Sequence, residues 1–347
     1  MHCKSVAFVC LFACLQLAGC DWFAKPDAVT LSGQTMGTTY TVVVAGLESE
    51  PDVERLRGEI EATLADVNSK MSNWDASSEI SRFNASAEIA PMKISADLAT
   101  VMEAAVEVNR KSNGKFDVTL APLIELWGFG PHKPDDPIPS DETISDALGR
   151  VGQERLLFLD TRGSLLEKAR GDVEINLSAL AKGFGIDMMA ERLLALGFEN
   201  HLVDIGGDLR STGKNERGEA WRIGIERPEA GARNIKRIVS LDNMSMATSG
   251  DYRNFIEKDG VRYSHIIDPS TGRPISHWTT SVSVIADDAM MADAWATALL
   301  VLGSKDGVRI ANDNGIAAYF ISRDRDLDGE KYVVTSSEAF EQLTRTP

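Results

Sequence analysis

The stretch Ala289-Met-Met-Ala-Asp-Ala-Trp-Ala-Thr-Ala-Leu-Leu-Val-Leu302, followed by Gly303, constrains the fold more than any other. Ala and Leu dominate it, no proline interrupts it, and Gly303 stands where a helix C-cap belongs. The pattern predicts a helix over 289–302. It is apolar on nearly every side, so it must be buried and the rest of the chain has to enclose it. Two polar residues break the pattern, Asp293 and Thr297. They are four apart and share one face. A buried carboxylate needs a partner or a metal. On this helix alone, an ion pair with an Arg across a packing interface is the simpler account. An Asp oxygen and a Thr hydroxyl one turn apart also make a pair of hard ligands of the kind Mg²⁺ or Ca²⁺ takes.

Around this helix the chain alternates between the two periodicities. Val53, Leu56, Ile60, Leu64, Val67, Met71 and Trp74 recur at three- and four-residue steps after Pro51 and predict an amphipathic helix closed by Trp74. Ser95 caps a second helix that ends near Asn113-Gly114, and Ser140 caps a short one over Ile144, Leu148 and Val151. Ser178 is placed as the cap of a helix over 179–196, whose Gly183 and Gly185 imply a close neighbour. Strands are expected at 33–44, 116–120, 156–160, 165–169, 173–176, 201–205, 221–226, 238–241, 262–267, 281–286, 316–322 and 331–335. Residues 75–84 and the polar stretch 246–253 read as loops. Strands outnumber crossover helices and most connections are short. The expected class is therefore α+β, a largely antiparallel sheet core with packed helices.

The 347 residues suffice for a large core in one or two domains. The net charge of −16, with no long basic run, argues against nucleic acid as a partner. All four cysteines, Cys3, Cys10, Cys14 and Cys20, fall in the first twenty residues. The body of the chain therefore has no disulfide framework and no cysteine metal site. A basic start, an apolar run from Ser5 to Leu17, and Leu17-Ala18-Gly19 before Cys20 make a secretory signal of the bacterial lipoprotein type. Residues 1–19 are expected to be the signal peptide, 20–32 a lipidated tether, and 33–347 one folded domain. Acyl chains on Cys20 would supply a stable membrane anchor.

Neither nucleotide-binding glycine fingerprint is present. Asn176-Leu-Ser178-Ala-Leu-Ala-Lys182-Gly183 offers a helix start beside a lysine, a possible anion site, although a plain capped helix explains it equally well. Gly206-Gly207-Asp208 is an anion nest or a tight turn. His265 has neither a Cys nor a serine elbow beside it and reads first as a structural hydrogen bond near a turn. Asp324-Arg-Asp326-Leu-Asp328-Gly329 begins like a calcium loop, but Thr335 stands where that loop needs a Glu, so it reads as an acidic hairpin turn.

Several segments in order carry a resemblance. They are Thr35 to Thr38, Met71-Ser-Asn-Trp74 with Ser81 to Asn84, Phe116-Asp-Val-Thr119 with Pro122-Leu123 and Trp127-Gly128, Asn176 to Gly183, Asp204 to Asp208, Ala247 to Gly250, Ser264 to Gly272, and Ala292-Asp293 to Thr297. Together they resemble the bacterial FAD:protein FMN transferases, formerly called thiamine-biosynthesis lipoproteins, over nearly the whole mature chain. The resemblance implies Mg²⁺-dependent transfer of FMN from FAD to a Thr or Ser hydroxyl of a partner protein, with release of AMP. It implies metal ligands at Ala179 (backbone carbonyl), Asp293 and Thr297. It implies FAD contacts at Met36, Trp74, Lys115, Phe116, Asp117, Asn176, Lys182 and Ile267. The chain departs from some members at Ala296, where they carry an acid, and at Asn176, where they carry Asp, so its metal site has one fewer nearby carboxylate. The residue that deprotonates the acceptor stays open between His265 and Asp251. Implied partners are flavoprotein subunits of sodium-pumping NADH:quinone reductase or RNF-type complexes. The implied location is the periplasmic side of the inner membrane, lipid-anchored, which Asp21 after the lipidated Cys also suggests. Two other readings stand beside this one: an FAD pyrophosphatase giving FMN and AMP, and a non-catalytic FAD-binding lipoprotein.

Overall fold

A computed structural model describes residues 28–345 apart from 48, 50, 131–137, 229–234, 253 and 325–331. The expected signal peptide, Cys20 and most of the acidic turn at 324–329 lie outside the described residues.

An eight-stranded, wholly antiparallel sheet organises the molecule. Its strands in spatial order are Ala28–Thr35, Thr38–Ala45, His201–Ile205, Asp208–Thr212, Ser245–Gly250, Thr279–Ala286, Ala317–Arg323 and Tyr332–Ser336. Spatial order follows chain order, so the sheet is a meander with insertions at some of its turns. The longest insertion carries the helices Val53–Met71, Glu79–Ala85, Ala96–Lys111, Ala121–Leu126, Asp141–Leu148, Gln153–Leu156 and Ala181–Ala195. A two-stranded ribbon, Trp221–Glu226 with Ile235–Leu241, fills another insertion.

The helix predicted at 289–302 is the first part of Ala289–Asp313, which breaks at Gly303 (φ 70, ψ 171) and then resumes. Asp288 accepts from Met291 N at 2.7 Å and caps the start. Asp187, from the neighbouring helix, accepts from Ala289 N at 3.0 Å and Met290 N at 2.9 Å. Helix 289–302 lies between the sheet face bearing Ala247, Val282, Val284 and Phe320 and the helices 96–111 and 181–195. That double cover accounts for its all-round apolar surface. The opposite sheet face, with Leu209, Ile285, Tyr319 and Ile321, is covered by Ile225, Val239 and Leu241 of the ribbon and by Phe340. Helix 53–71 closes the first strands through Leu56, Ile60 and Leu64. The architecture is α+β, as expected.

The local differences from the sequence reading each have a cause. The first strand starts at Ala28, so residues 28–32, expected in the tether, pair with Thr41 to Ala45, and Met36-Gly37 forms the hairpin turn. Asp52 caps helix 53–71, which opens after Pro51 as expected but ends at Met71 and leaves Trp74 outside the stripe. Residues 79–85 are helical, capped by Ser78 and held by buried Ile80 and Phe83. Residues 116–120 form a turn that leads into helix 121–126. Residues 173–176 carry the alternating burial of a strand but pair with no strand among the described residues. Asn84 bonds both backbone groups of Ile175, and Asn73 bonds Ile175 O and Leu177 N, all between 2.6 and 2.9 Å. Ser178 is exposed, and the following helix starts at Ala181 without a side-chain cap.

Candidate active site

The site is a cavity of about 960 Å³ where the ends of the central strands meet the starts of the helices, large enough for an extended ligand. Two close approaches fix its geometry. At Gly183 a Cβ would lie 2.3 Å from Ala289 O and 2.5 Å from Met290 Cα, so only glycine lets helix 181–195 touch the start of helix 289–313. At the strand ends, Gly206 (φ 65) and Gly207 (φ 99) turn the chain so that Asp208 points back into the structure.

This crossing brings the charged groups together. Lys182 Nζ donates to Asp293 Oδ2 at 3.0 Å and also to Asp208 Oδ2. Gly183 N reaches Asp293 Oδ2 at 3.3 Å. Asp293 is 3 % exposed. Burial, together with the nearby Asp208, pushes its carboxyl up to about 6, against the pull of Lys182. Burial opposes the charge of Lys182, but the two carboxylates outweigh it and hold the ammonium above its ordinary value. Asp293 therefore has an ionic partner, and that partner is a lysine. Its Oδ1 takes no hydrogen bond from the described residues. Thr297 shares a 3.0 Å hydroxyl bond with Ser249.

Among the described residues no group of three or more His, Cys, Asp or Glu could hold a metal. A site for a hard cation would be built differently here, from one carboxylate, one hydroxyl and a backbone carbonyl. Asp293, Thr297 and Ala179 all line the cavity and supply that set. The donors are all oxygen, and Asp293 keeps an oxygen that no group among the described residues bonds. They fit a cation that retains part of its water shell.

Lys115, Phe116, Asp117, Asn176, Lys182 and Ile267 also line the cavity. Lys115 is tied to Asp268 at 2.8 Å and to Ser270 at 2.7 Å. Asp117 turns inward to Thr119 N and Gln153 N, and burial pushes its carboxyl up despite those bonds. Met36 and Trp74 are not among the lining residues. Met36 sits in the hairpin turn (φ 48) against Gly185 and the core, and Trp74 is 68 % exposed. The two candidate bases separate. His265 lines the cavity, and its Nδ1 lies 2.8 Å from Asn254 O, which makes Nδ1 the protonated nitrogen and leaves Nε2 as acceptor. Burial holds its pKa below the ordinary value, so the ring is neutral near pH 7. Asp251 does not line the cavity. It faces Arg262 at 3.8 Å, and burial pushes its carboxyl up.

A profile of the ApbE family matches residues 36–320. The chain belongs to the ApbE family. The chain is 41% identical to the FAD:protein FMN transferase of Vibrio cholerae over 330 residues, 95% of this chain and 96% of that protein. It is also 41% identical to the Haemophilus influenzae protein of the same name, over 96% of this chain and 95% of that one. Among solved structures, the flavin transferase ApbE of Vibrio cholerae superimposes with a TM-score of 0.83 at 39% identity, covering 91% of this chain and 99% of that one. The apo flavinyl transferase ApbE of Pseudomonas stutzeri gives 0.83 at 39% identity, covering 92% and 98%. With relatives at this coverage, this ApbE-family chain is an enzyme, a transferase.

The sequence reading assigned no partner to Asp208 and missed the strand Ser245–Gly250, whose Thr248 N holds Asp208 Oδ1 at 2.9 Å. A polar run of small residues looked like a loop. Its hydroxyls are in fact paired with Ser283 on the neighbouring strand and with Thr297 on the helix.

Proposed function

We propose that this chain transfers FMN from FAD to a Thr or Ser hydroxyl of a partner flavoprotein subunit and releases AMP, with Mg²⁺ bound at Ala179, Asp293 and Thr297. The observation that carries the reading is the convergence on one cavity of Lys182, the buried Asp293 that it bonds, Thr297 and Ala179, with His265 lining the same cavity. When bound, the cation would neutralise pyrophosphate charge and fix its orientation. The protein supplies the rest. Lys182 presents a fixed ammonium to a phosphate oxygen. Asn176, whose carboxamide oxygen is held by Ser178 N at 2.9 Å and whose backbone N donates to Val118 O at 2.7 Å, is set rigidly at the cavity edge. Neutral His265 takes the proton from the acceptor hydroxyl through Nε2. The hydroxyl oxygen then bonds the FMN phosphorus, the pyrophosphate P–O bond breaks, and the electron pair leaves with AMP. Trp74, exposed and outside the cavity wall, would contact FAD or the acceptor only from the rim.

The acceptors suited to this chemistry are flavoprotein subunits of sodium-pumping NADH:quinone reductase or RNF-type complexes. The proposed location is the periplasmic face of the inner membrane, through a lipid on Cys20. Among the described residues no helix is long and apolar enough to cross a membrane.

The test is incubation of purified protein with FAD, Mg²⁺ and such an acceptor subunit. The expected result is a covalent FMN mass shift on the acceptor, lost in Asp293→Ala. Stoichiometric FMN in solution with no shift would make the chain a pyrophosphatase. FAD left intact with Mg²⁺ present would make it a flavin-binding lipoprotein.

A further inference from the structure

Asp208 has no role in the function proposed above, yet it is buried and part of the same charge cluster. Its Oδ1 accepts from Thr248 N at 2.9 Å, and its Oδ2 accepts from Lys182 Nζ. The same Nζ donates to Asp293 Oδ2 at 3.0 Å. One ammonium thus bridges two buried carboxylates at the wall of the cavity, and the cluster carries a net single negative charge. A lysine ammonium is a compact point charge with three hydrogens, two of which are engaged here. It bonds an oxygen of Asp293, the residue proposed to serve a divalent cation, so the two positive charges contend for one carboxylate.

We propose that Lys182 is the resident counter-cation of the metal site, competing with the divalent ion for Asp293, and that Asp208 is the positioning residue that retains Lys182 when it yields Asp293. This rests on the Mg²⁺ reading above. Its consequence is a coupling. The exchange at Asp293 releases a hydrogen of Lys182 toward the cavity, where a phosphate oxygen can accept it, while Asp208 keeps the ammonium from leaving the wall. Metal and pyrophosphate then bind better together than apart, although no part of the backbone has to move.

The test uses Mn²⁺ alone, without FAD, titrated into the purified chain and followed by the electron paramagnetic resonance signal of unbound Mn²⁺. Lys182→Met removes the competitor, and Mn²⁺ should bind about tenfold tighter than to the native chain. Asp208→Asn leaves Lys182 with Asp293 as its sole anionic partner, and binding should weaken by about tenfold. The double variant D208N/K182M should recover native affinity or better. A merely structural Asp208 would not show that recovery. Lys182→Gln is read by the same criterion and serves if Lys182→Met does not fold. A Lys182 variant that binds Mn²⁺ no tighter than the native chain overturns the proposal, as does a double variant as weak as Asp208→Asn. Failure of the native chain to bind Mn²⁺ removes the metal reading and this inference with it. Native binding with a flat variant series removes this inference alone.

Discussion

Lys168→Met should destabilise the protein through the backbone it holds and not through the charge it loses. Lys168 is 1 % exposed, and its ammonium lies 4.9 Å from the Phe83 ring centroid. Nζ donates to four carbonyls: Phe83 at 2.9 Å, Asn84 and Val173 at 3.3 Å, and Gly171 at 3.4 Å. Phe83 O also accepts from Ser86 N, but among the described residues no other donor reaches the remaining three. Methionine fills nearly the same volume and donates nothing. One buried acceptor, Val173 O, and two part-buried ones, Asn84 O and Gly171 O, then lose their donor, at about 1 kcal/mol for the buried one and less for the other two. Relief from burying an ammonium offsets part of this, since burial already holds the Lys168 pKa below its ordinary value. The expected net loss is about 1–2 kcal/mol. Urea unfolding of the native and variant chains at pH 7 measures it. The pH dependence is a second check. Because the folded pKa is depressed, the unfolded chain binds more protons between that value and 10.5. Native stability relative to Lys168→Met should therefore grow as pH rises through that window. A change below about 0.5 kcal/mol, the size of an indifferent substitution, would refute the carbonyl-cage argument.

Three further outcomes follow from other contacts. Gly183→Ala places a methyl against the backbone of Ala289 and Met290; it should cost about 3 kcal/mol by overpacking and lower Mn²⁺ and FAD affinity together, both read by calorimetry. Asp187→Ala removes the acceptor of Ala289 N and Met290 N and strands Arg210, which it holds at 2.7 Å; a loss of about 3 kcal/mol in denaturant midpoint is expected. Buried His201 donates from Nδ1 to Phe198 O at 2.8 Å, and burial holds its pKa below 6.5. Its contribution is present above pH 6.5 and is lost as pH falls through the folded value, so unfolding midpoints should drop between pH 7 and 5, and less so in His201→Gln.

How far the sequence reached depends on what satisfies each backbone. The helix at 289–302 was legible because its composition and its burial agree, and Asp293 and Thr297 shared a face because helical spacing alone requires it. Residues 173–176 alternate like a strand, but the hydrogen bonds that a neighbouring strand would supply come from the amides of Asn73 and Asn84, about a hundred residues away in sequence. No local pattern carries that. Helix 79–85 was hidden by its polarity, since a single capping Ser78 and two buried side chains suffice to hold it. At the site, the lysine partner of Asp293 was nameable as a residue but not as a partner, because only the contact at Gly183 brings the two helices together. Asp208 stayed unread because a Gly-Gly turn looks the same whether its next residue faces solvent or a buried ammonium.

The strand Thr38–Ala45 pairs directly with His201–Ile205, and Ala45 N closes the join on Asn200 O at 2.9 Å. Everything from 46 to 200 is thus a single closed loop between adjacent strands. The entropy of closing a loop grows only slowly with its length, so this costs little stability; its effect is on folding order, because non-local pairings form late. A hairpin of the first two strands is marginal by itself. It has to wait for residue 201 to arrive, and the cavity wall at Asp204 to Asp208 comes after that. A chain still being made therefore holds Lys182 without Asp208 and without Asp293. The charge cluster assembles only once the last of these segments is in place, so an unfinished chain lacks the group of charges on which the proposed chemistry rests.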